Sequence, residues 1–157
     1  MTSQPMLGKS VLITGATDGI GKETARQLAN MGAHVLIHGR DLQKARRTQR
    51  EIMRATNNEQ IEIITADLQI MDEVRDLAEA VRDRVNHLDV LINNAGVYTT
   101  EYIQTPDGFE LTFAVNHLSH FLLTNILLDL IKASAPARIF TVSSVANGSA
   151  RLHLENL

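Results

Sequence analysis

The 157-residue sequence predicts an α/β fold built on a parallel sheet. Short apolar runs rich in β-branched residues alternate with longer segments of helical period, the mark of βαβ units and of a sheet covered on both faces. With 44% apolar and 21% charged residues the chain is ordinary globular material, and its length suits one domain over residues 1–157. A glycine-rich turn follows the first apolar run directly, where such folds bind ligands.

The strands are expected at Ser10 to Thr14, His34 to His38, Glu62 to Thr65, Asp89 to Asn93 and Arg138 to Ser143. The first crossover, GIGKETARQLANMG, carries Ile20, Ala25, Leu28 and Ala29 toward one side and stops at Gly32, suited to a left-handed cap. The second starts from Asp41 as N-cap and is basic (Lys44, Arg46, Arg47, Arg50, Arg54), which reads as a solvated face. The third sets Val74, Leu77, Ala78, Val81 and Val85 on one stripe at i, i+3, i+4, i+7 and i+11.

In the fourth crossover, TPDGFE offers Thr105 as a cap and Pro106 as the first helical residue. Its body, from Leu111 to Leu128, is apolar on most sides, with Phe113, Leu118, Phe121 and Leu122 off any single stripe. A helix of that kind needs cover beyond the sheet, from a further helix or a second subunit.

Several function classes are excluded. Fifteen basic and eighteen acidic side chains give a net charge of −3 with no long run of either sign, which proposes neither nucleic acid nor an anionic membrane. There is no cysteine, hence no disulfide, thiolate nucleophile or cysteine-built zinc site, and a reducing compartment such as the cytoplasm is expected. MTSQPMLGKS lacks the apolar core of a signal peptide, and Leu111–Leu128, which holds two histidines and two asparagines, is expected to be a buried helix rather than a membrane segment. His117 and His120 read as helix-face histidines, and no ligand spacing suggests a metal.

T-G-A-T-D-G-I-G places Gly15, Gly19 and Gly21 between a strand and a helix. Missing side chains there allow a sharp turn and let phosphates approach backbone N–H groups at the positive helix end. A Walker loop fails, because Ala16 stands where its first glycine belongs and Glu23 where Ser or Thr must follow Gly21-Lys22. A dinucleotide is favoured over a triphosphate. At the end of the second strand the usual ribose-binding acid is replaced by Gly39, with Arg40 next. An arginine there accommodates a 2′-phosphate, so NADP(H) is preferred over NAD(H); the competing reading is a surface arginine beside the Asp41 cap.

The glycine spacing G-x-x-x-G-x-G, with A-D-L at 66–68, N-N-A-G at 93–96, V-N-H at 115–117 and V-S-S at 142–144, resembles the short-chain dehydrogenases/reductases. GIGKETA, NNAGV, TPDGFELTFAVNHLSHFLLTNILL, SAPARI and SSVANGSARLHLENL look most like the retinol-dehydrogenase-type branch. The resemblance implies a doubly wound Rossmann-type sheet, strand order 3-2-1-4-5, in three α/β/α layers. It also implies hydride transfer between a nicotinamide dinucleotide and an alcohol or carbonyl substrate, in a parent that is a homo-oligomer through its fourth helix.

Carried over residue by residue, Gly15, Thr17, Gly19, Ile20 and Gly21 would hold the pyrophosphate, and Asp67 with Leu68 the adenine end. Asn93, Asn94, Ala95 and Gly96 would steady the sheet and border the cofactor. Asn116 would support a proton relay, Ser144 would hydrogen-bond the substrate oxygen, and Ser143 would lie beside the nicotinamide end. Read without the resemblance, Asp67 is a turn or capping aspartate, Asn93-Asn94 a strand-ending turn and Asn116 a satisfied core amide.

The resemblance further implies Tyr-x-x-x-Lys as proton donor. The two tyrosines are Tyr98 and Tyr102, and the lysines are Lys9, Lys22, Lys44 and Lys132, so no such pair exists here. The sequence is therefore expected to be the first part of a longer family member, incomplete on its C-terminal side; the alternative is a non-catalytic dinucleotide-binding or interaction module.

Overall fold

The computed structural model describes residues 4–145 and Gly148. The tail from Ser149 on, quoted for the resemblance, and the first three residues lie outside the described residues. Strands β1 (Ser10–Ile13), β2 (His34–Gly39), β3 (Ile61–Thr65), β4 (Val90–Asn93) and β5 (Arg138–Thr141) form one sheet in the order β3-β2-β1-β4-β5. All pairings are parallel, as expected. Strand ends shift by a residue or two from the expected bounds. β5 stops at Thr141 rather than Ser143, although the Val142 N–H still donates to Asn93 O at 2.9 Å.

Alternation along the strands divides the core in two. Val11, Ile13, Val35 and Ile37 point to one face, where α1 (Gly19–Asn30) and α2 (Leu42–Thr56) cover them with Ala25, Ala29 and Ile52. Leu12, Leu36 and Leu91 point to the other, under α3 (Met71–Arg84) and α4 (Leu111–Ala133). Asp41 caps α2, its Oδ1 accepting from Lys44 N at 2.9 Å, and Gly32 turns the chain after α1 at φ 90°. The α3 stripe Val74, Leu77, Ala78, Val81 and Val85 is buried throughout. Ile20, by contrast, is 70% exposed and leaves the α1 stripe to Gly21, Ala25 and Ala29.

Two corrections concern α4. Thr105 and Pro106 do not start it. Gly108 takes φ 86°, which ends any helical run, and residues 103–111 fold back on themselves: Thr105 N donates to Phe109 O and Leu111 N to Ile103 O, both at 2.8 Å. The cap is Glu110, whose carboxylate oxygens accept from Thr112 N (2.8 Å) and Phe113 N (2.7 Å). By length and composition α4 is also apolar enough to cross a membrane, so composition does not separate the two readings; here Leu123 and Leu127 are fully buried against the sheet and α3, while about a third of its most apolar window is buried. Phe113 and Phe121 stand out on the opposite side and stack on either face of His117, at 5.2 and 6.4 Å between ring centroids.

β5 is exposed along its whole length, with Phe140 at 53% and Ile139 at 41%. An apolar strand on an open edge invites pairing with another chain. This chain is expected to self-associate in a concentration-dependent way in light scattering, and Phe140→Glu to reduce that association; a monodisperse monomer at high concentration contradicts it. Leu123→Ala is expected to cost about 2–5 kcal/mol in urea unfolding, as for other fully buried leucines.

Candidate functional site

The strand order reverses between β1 and β4, and there a cleft of about 540 Å³ opens at the carboxyl ends of the strands. Its walls come from the loops after β1, β3 and β4, the end of β2 and the start of α4. Gly15, Thr17, Asp18, Gly19, Ile20 and Gly21 follow β1; Gly39 and Arg40 end β2; Ala66, Asp67, Leu68 and Gln69 follow β3; Asn94, Ala95, Gly96 and Val97 follow β4. Eleven of the residues assigned to a cofactor from the sequence, Gly15, Thr17, Gly19, Ile20, Gly21, Arg40, Asp67, Leu68, Asn94, Ala95 and Gly96, therefore line one cavity; Asn93, expected to border the cofactor, does not. Asn116, Ser143 and Ser144 are not among its lining residues; Ser143 and Ser144 are exposed just past β5.

The glycines are there for room. Gly15 sits at φ 63°, and a Cβ on it would fall 2.8 Å from Ala95 Cα. On Gly21 a Cβ would come within 2.4 Å of both Asn94 Nδ2 and Gly15 O. At Gly39 it would meet Thr17 Cγ2 at 2.5 Å, so the position that carries an acid in many dinucleotide sites has no space for one. The cradle is thus a surface of bare backbone at the start of α1, with Arg40 exposed at its rim, and fits a diphosphate with a further anionic group beside it.

Beneath the cleft lies a polar row on the α3–α4 face, one step beyond the pairs Ile13↔Ile37 and Ile13↔Ile92. Thr14 Oγ1 accepts from Asn94 N (2.9 Å) and Ala95 N (3.0 Å), while Asn94 Nδ2 donates to Thr14 O (2.9 Å) and Gly15 O (3.1 Å). Asn93 Nδ2 donates to Thr124 Oγ1 of α4 at 3.0 Å. His38, at the end of β2, stands between Gly15 N (3.3 Å from Nδ1) and Ala66 O (3.0 Å from Nε2). His120 of α4 brings Nε2 to 3.3 Å from Thr14 Oγ1. Both lone-pair positions of Thr14 Oγ1 already face amide N–H groups, and its proton has two acceptors within reach, Ile92 O at 3.4 Å and the His120 ring nitrogen. Burial pushes His120 down to about 4, and burial likewise depresses His38.

Asn116 lies within Ala114–Leu118, where α4 is wound as a π-helix and Ser119 N–H donates five residues back to Ala114 O. It is no core amide. Its exposed side chain clasps the loop after β4, Oδ1 accepting from Val97 N and Nδ2 donating to Val97 O, both at 2.8 Å. Asp67 does make turn contacts, accepting from Gln69 N (3.1 Å) and Gln69 Nε2 (2.7 Å), and lines the cleft as well. Sequence reasoning missed His38 altogether and treated His120 as a helix-face residue. A polar side chain at the last inward position of an apolar strand, as in HVLIH, is the signal that could have found His38.

Two outcomes follow from this geometry. Thr14→Val strands two amide donors and is expected to cost about 1–3 kcal/mol in urea unfolding. For His120 the folded chain stays neutral from its ordinary value of 6.5 down to about 4, while the unfolded chain takes up a proton across that range. Stability is then fully present above pH 6.5 and falls as the pH drops toward 4. His120→Gln is expected to flatten that slope in part, His38 supplying the remainder.

A family model described as short chain dehydrogenase matches residues 9–155. Human retinol dehydrogenase 11 is 47% identical over 150 residues, covering 96% of this chain and 47% of that protein. Bovine retinol dehydrogenase 12 is 48% identical over 154 residues, 97% of this chain and 49% of its own. The chain spans about half the length of these curated relatives. Among solved structures, a metagenomic short-chain oxidoreductase in complex with NADP superposes with a TM-score of 0.81 at 32% identity, covering 94% of this chain and 66% of that one. The Pseudomonas aeruginosa RhlG/NADP active-site complex superposes at 0.78 with 33% identity, covering 94% and 59%. Sheet order, cleft and sequence agree: the chain belongs to the short chain dehydrogenase family.

Proposed function

We propose that the full-length protein is an NADP(H)-dependent oxidoreductase that interconverts an alcohol and a carbonyl, and that residues 1–157 form its dinucleotide-binding domain. The observation that carries the reading is the pairing of a side-chain-free diphosphate cradle with Gly39 and Arg40 at the end of β2. The NADP in the two superposed relatives supports it, as do the retinol dehydrogenases of similar sequence, which make an apolar alcohol or aldehyde the first substrate to assay.

When bound, the dinucleotide supplies or accepts the hydride. The chain's own residues bind and orient. Backbone N–H groups at the start of α1 face the pyrophosphate, Gly15 and Gly21 allowing its approach. Arg40 answers a 2′-phosphate with a charge-assisted contact. Asp67 and Leu68 border the adenine; Asn94, Ala95 and Gly96 border the nicotinamide half. Asn116 holds that last loop through Val97, and Ser144 is the hydroxyl we assign to the substrate oxygen. Self-association of the full protein is assigned to α4, through the Phe113–His117–Phe121 ridge.

A second reading is a binding module without catalysis. The two separate in a direct test. NADPH is expected to bind this chain and to enhance its nicotinamide fluorescence, with NADH weaker; Arg40→Ala is expected to weaken NADPH by about tenfold or more and leave NADH unchanged. Carbonyl reduction is expected from the full-length protein and not from residues 1–157. Equal affinity for the two dinucleotides, unmoved by Arg40→Ala, overturns the preference.

A further inference from the structure

His38 is 2% exposed and makes contacts that fix its chemical state. An amide N–H can only donate, so Gly15 N requires Nδ1 to be an acceptor; a carbonyl oxygen can only accept, so Ala66 O requires Nε2 to carry the proton. The ring is therefore the neutral Nε2–H tautomer. Its own backbone continues the hold, since His38 O accepts from Ala16 N at 2.8 Å. Two consecutive amides of the glycine loop, Gly15 and Ala16, are thus fixed by one residue of β2, the first through a ring that titrates and the second through a carbonyl that does not.

The ring also spans two parts of the cleft. On one side is Gly15, packed so closely on Ala95 that its φ of 63° admits no side chain. On the other is Ala66, next to Asp67 and Leu68 on the wall after β3. We propose that His38 is a positioning residue of this cleft: its neutral ring latches the glycine loop to the end of β3, and taking up a proton opens the latch. A protonated ring carries N–H at both nitrogens, so Nδ1–H would face the Gly15 N–H donor to donor. Gly15 can only move away, and its carbonyl, held by Asn94 Nδ2, and the space above Gly21 move with it.

The groups facing the ring are few. Asp67, from the loop after β3, favours the proton; burial opposes it more strongly. From α4, His120 interacts with His38 unfavourably when both are charged, and His117 adds to that repulsion on His120. A proton on either buried histidine therefore makes the second harder to place.

The inference rests on the dinucleotide reading only in its ligand arm. With ¹⁵N-labelled protein, ring nitrogen shifts at neutral pH are expected to report the Nε2–H tautomer for His38, and the Gly15 amide to shift along the His38 titration as the pH is lowered below the ordinary imidazole range, burial holding that titration down. In His38→Gln, which keeps a donor and an acceptor but does not titrate, the Gly15 amide is expected to lose that shift. NADPH affinity of the natural chain is expected to fall by about tenfold over the same range and to be flat in His38→Gln, the difference between the two cancelling titration of the ligand itself. His38→Leu, with neither contact, binds weakly at every pH. An Nδ1–H tautomer, a Gly15 shift that persists in His38→Gln, or an equal acid dependence in both proteins overturns the proposal. If NADPH binds at no pH, the dinucleotide reading fails while the tautomer and the Gly15 titration of the natural chain still decide the latch.

Discussion

The hydroxyl of Thr14 joins two backbones that the sheet itself can no longer hold. Where β1 and β4 end, their crossovers leave for opposite faces, and the crevice between them exists because the ladder has stopped. Amides of Asn94 and Ala95 would be orphaned there; Thr14 Oγ1 accepts both. With that distance set, Gly15 comes to rest on Ala95, Asn94 reaches across to Gly15 O, and the space left above Gly21 is that of a hydrogen atom. The bare cradle is thus a consequence of how closely one side chain draws two strand ends together.

The polar row around Thr14 replaces the hydrophobic core at the floor of the cleft. Below it Leu12, Leu36 and Leu91 pack in the usual way; above it a ligand must meet hydrogen-bonding groups. A layer of this kind is costly if any member is left without a partner. Two buried atoms among the described residues, Asn93 Oδ1 and His120 Nδ1, have none. Both lie in this row and under the cleft. The low local polarity that makes such atoms expensive also keeps His38 and His120 neutral, which the contacts of His38 require.

Patterning made the architecture legible in the sequence. The α3 stripe, the Asp41 cap, Gly32 and the five apolar runs each express a local rule that the tertiary structure obeys, and a glycine loop between strand and helix can only sit at one end of a parallel sheet. Departures came where tertiary contacts or a later turn override local spacing. Ile20 has helical spacing but faces the cavity, and Thr105-Pro106 has a helix-start pattern but Gly108 turns the chain first. Asn116 is exposed rather than a core amide: it lies in a π-turn and holds Val97 with its side chain. His38 was invisible for a related reason: its partners, Gly15 and Ala66, are 23 and 28 residues away in opposite directions along the chain.

The contact between positions 39 and 17 carries a consequence for evolutionary and engineered change. Any side chain at Gly39 arrives within 2.5 Å of the Thr17 methyl group, and Thr17 is in turn fastened to α2 by the Thr48 hydroxyl, which donates to its carbonyl at 3.2 Å. A carboxylate introduced at 39 alone therefore deforms the loop before it can reach a ribose, whereas the same carboxylate opposite a glycine or alanine at 17 has room. The two positions form an epistatic pair: a side chain at 39 has room only once residue 17 is smaller than threonine.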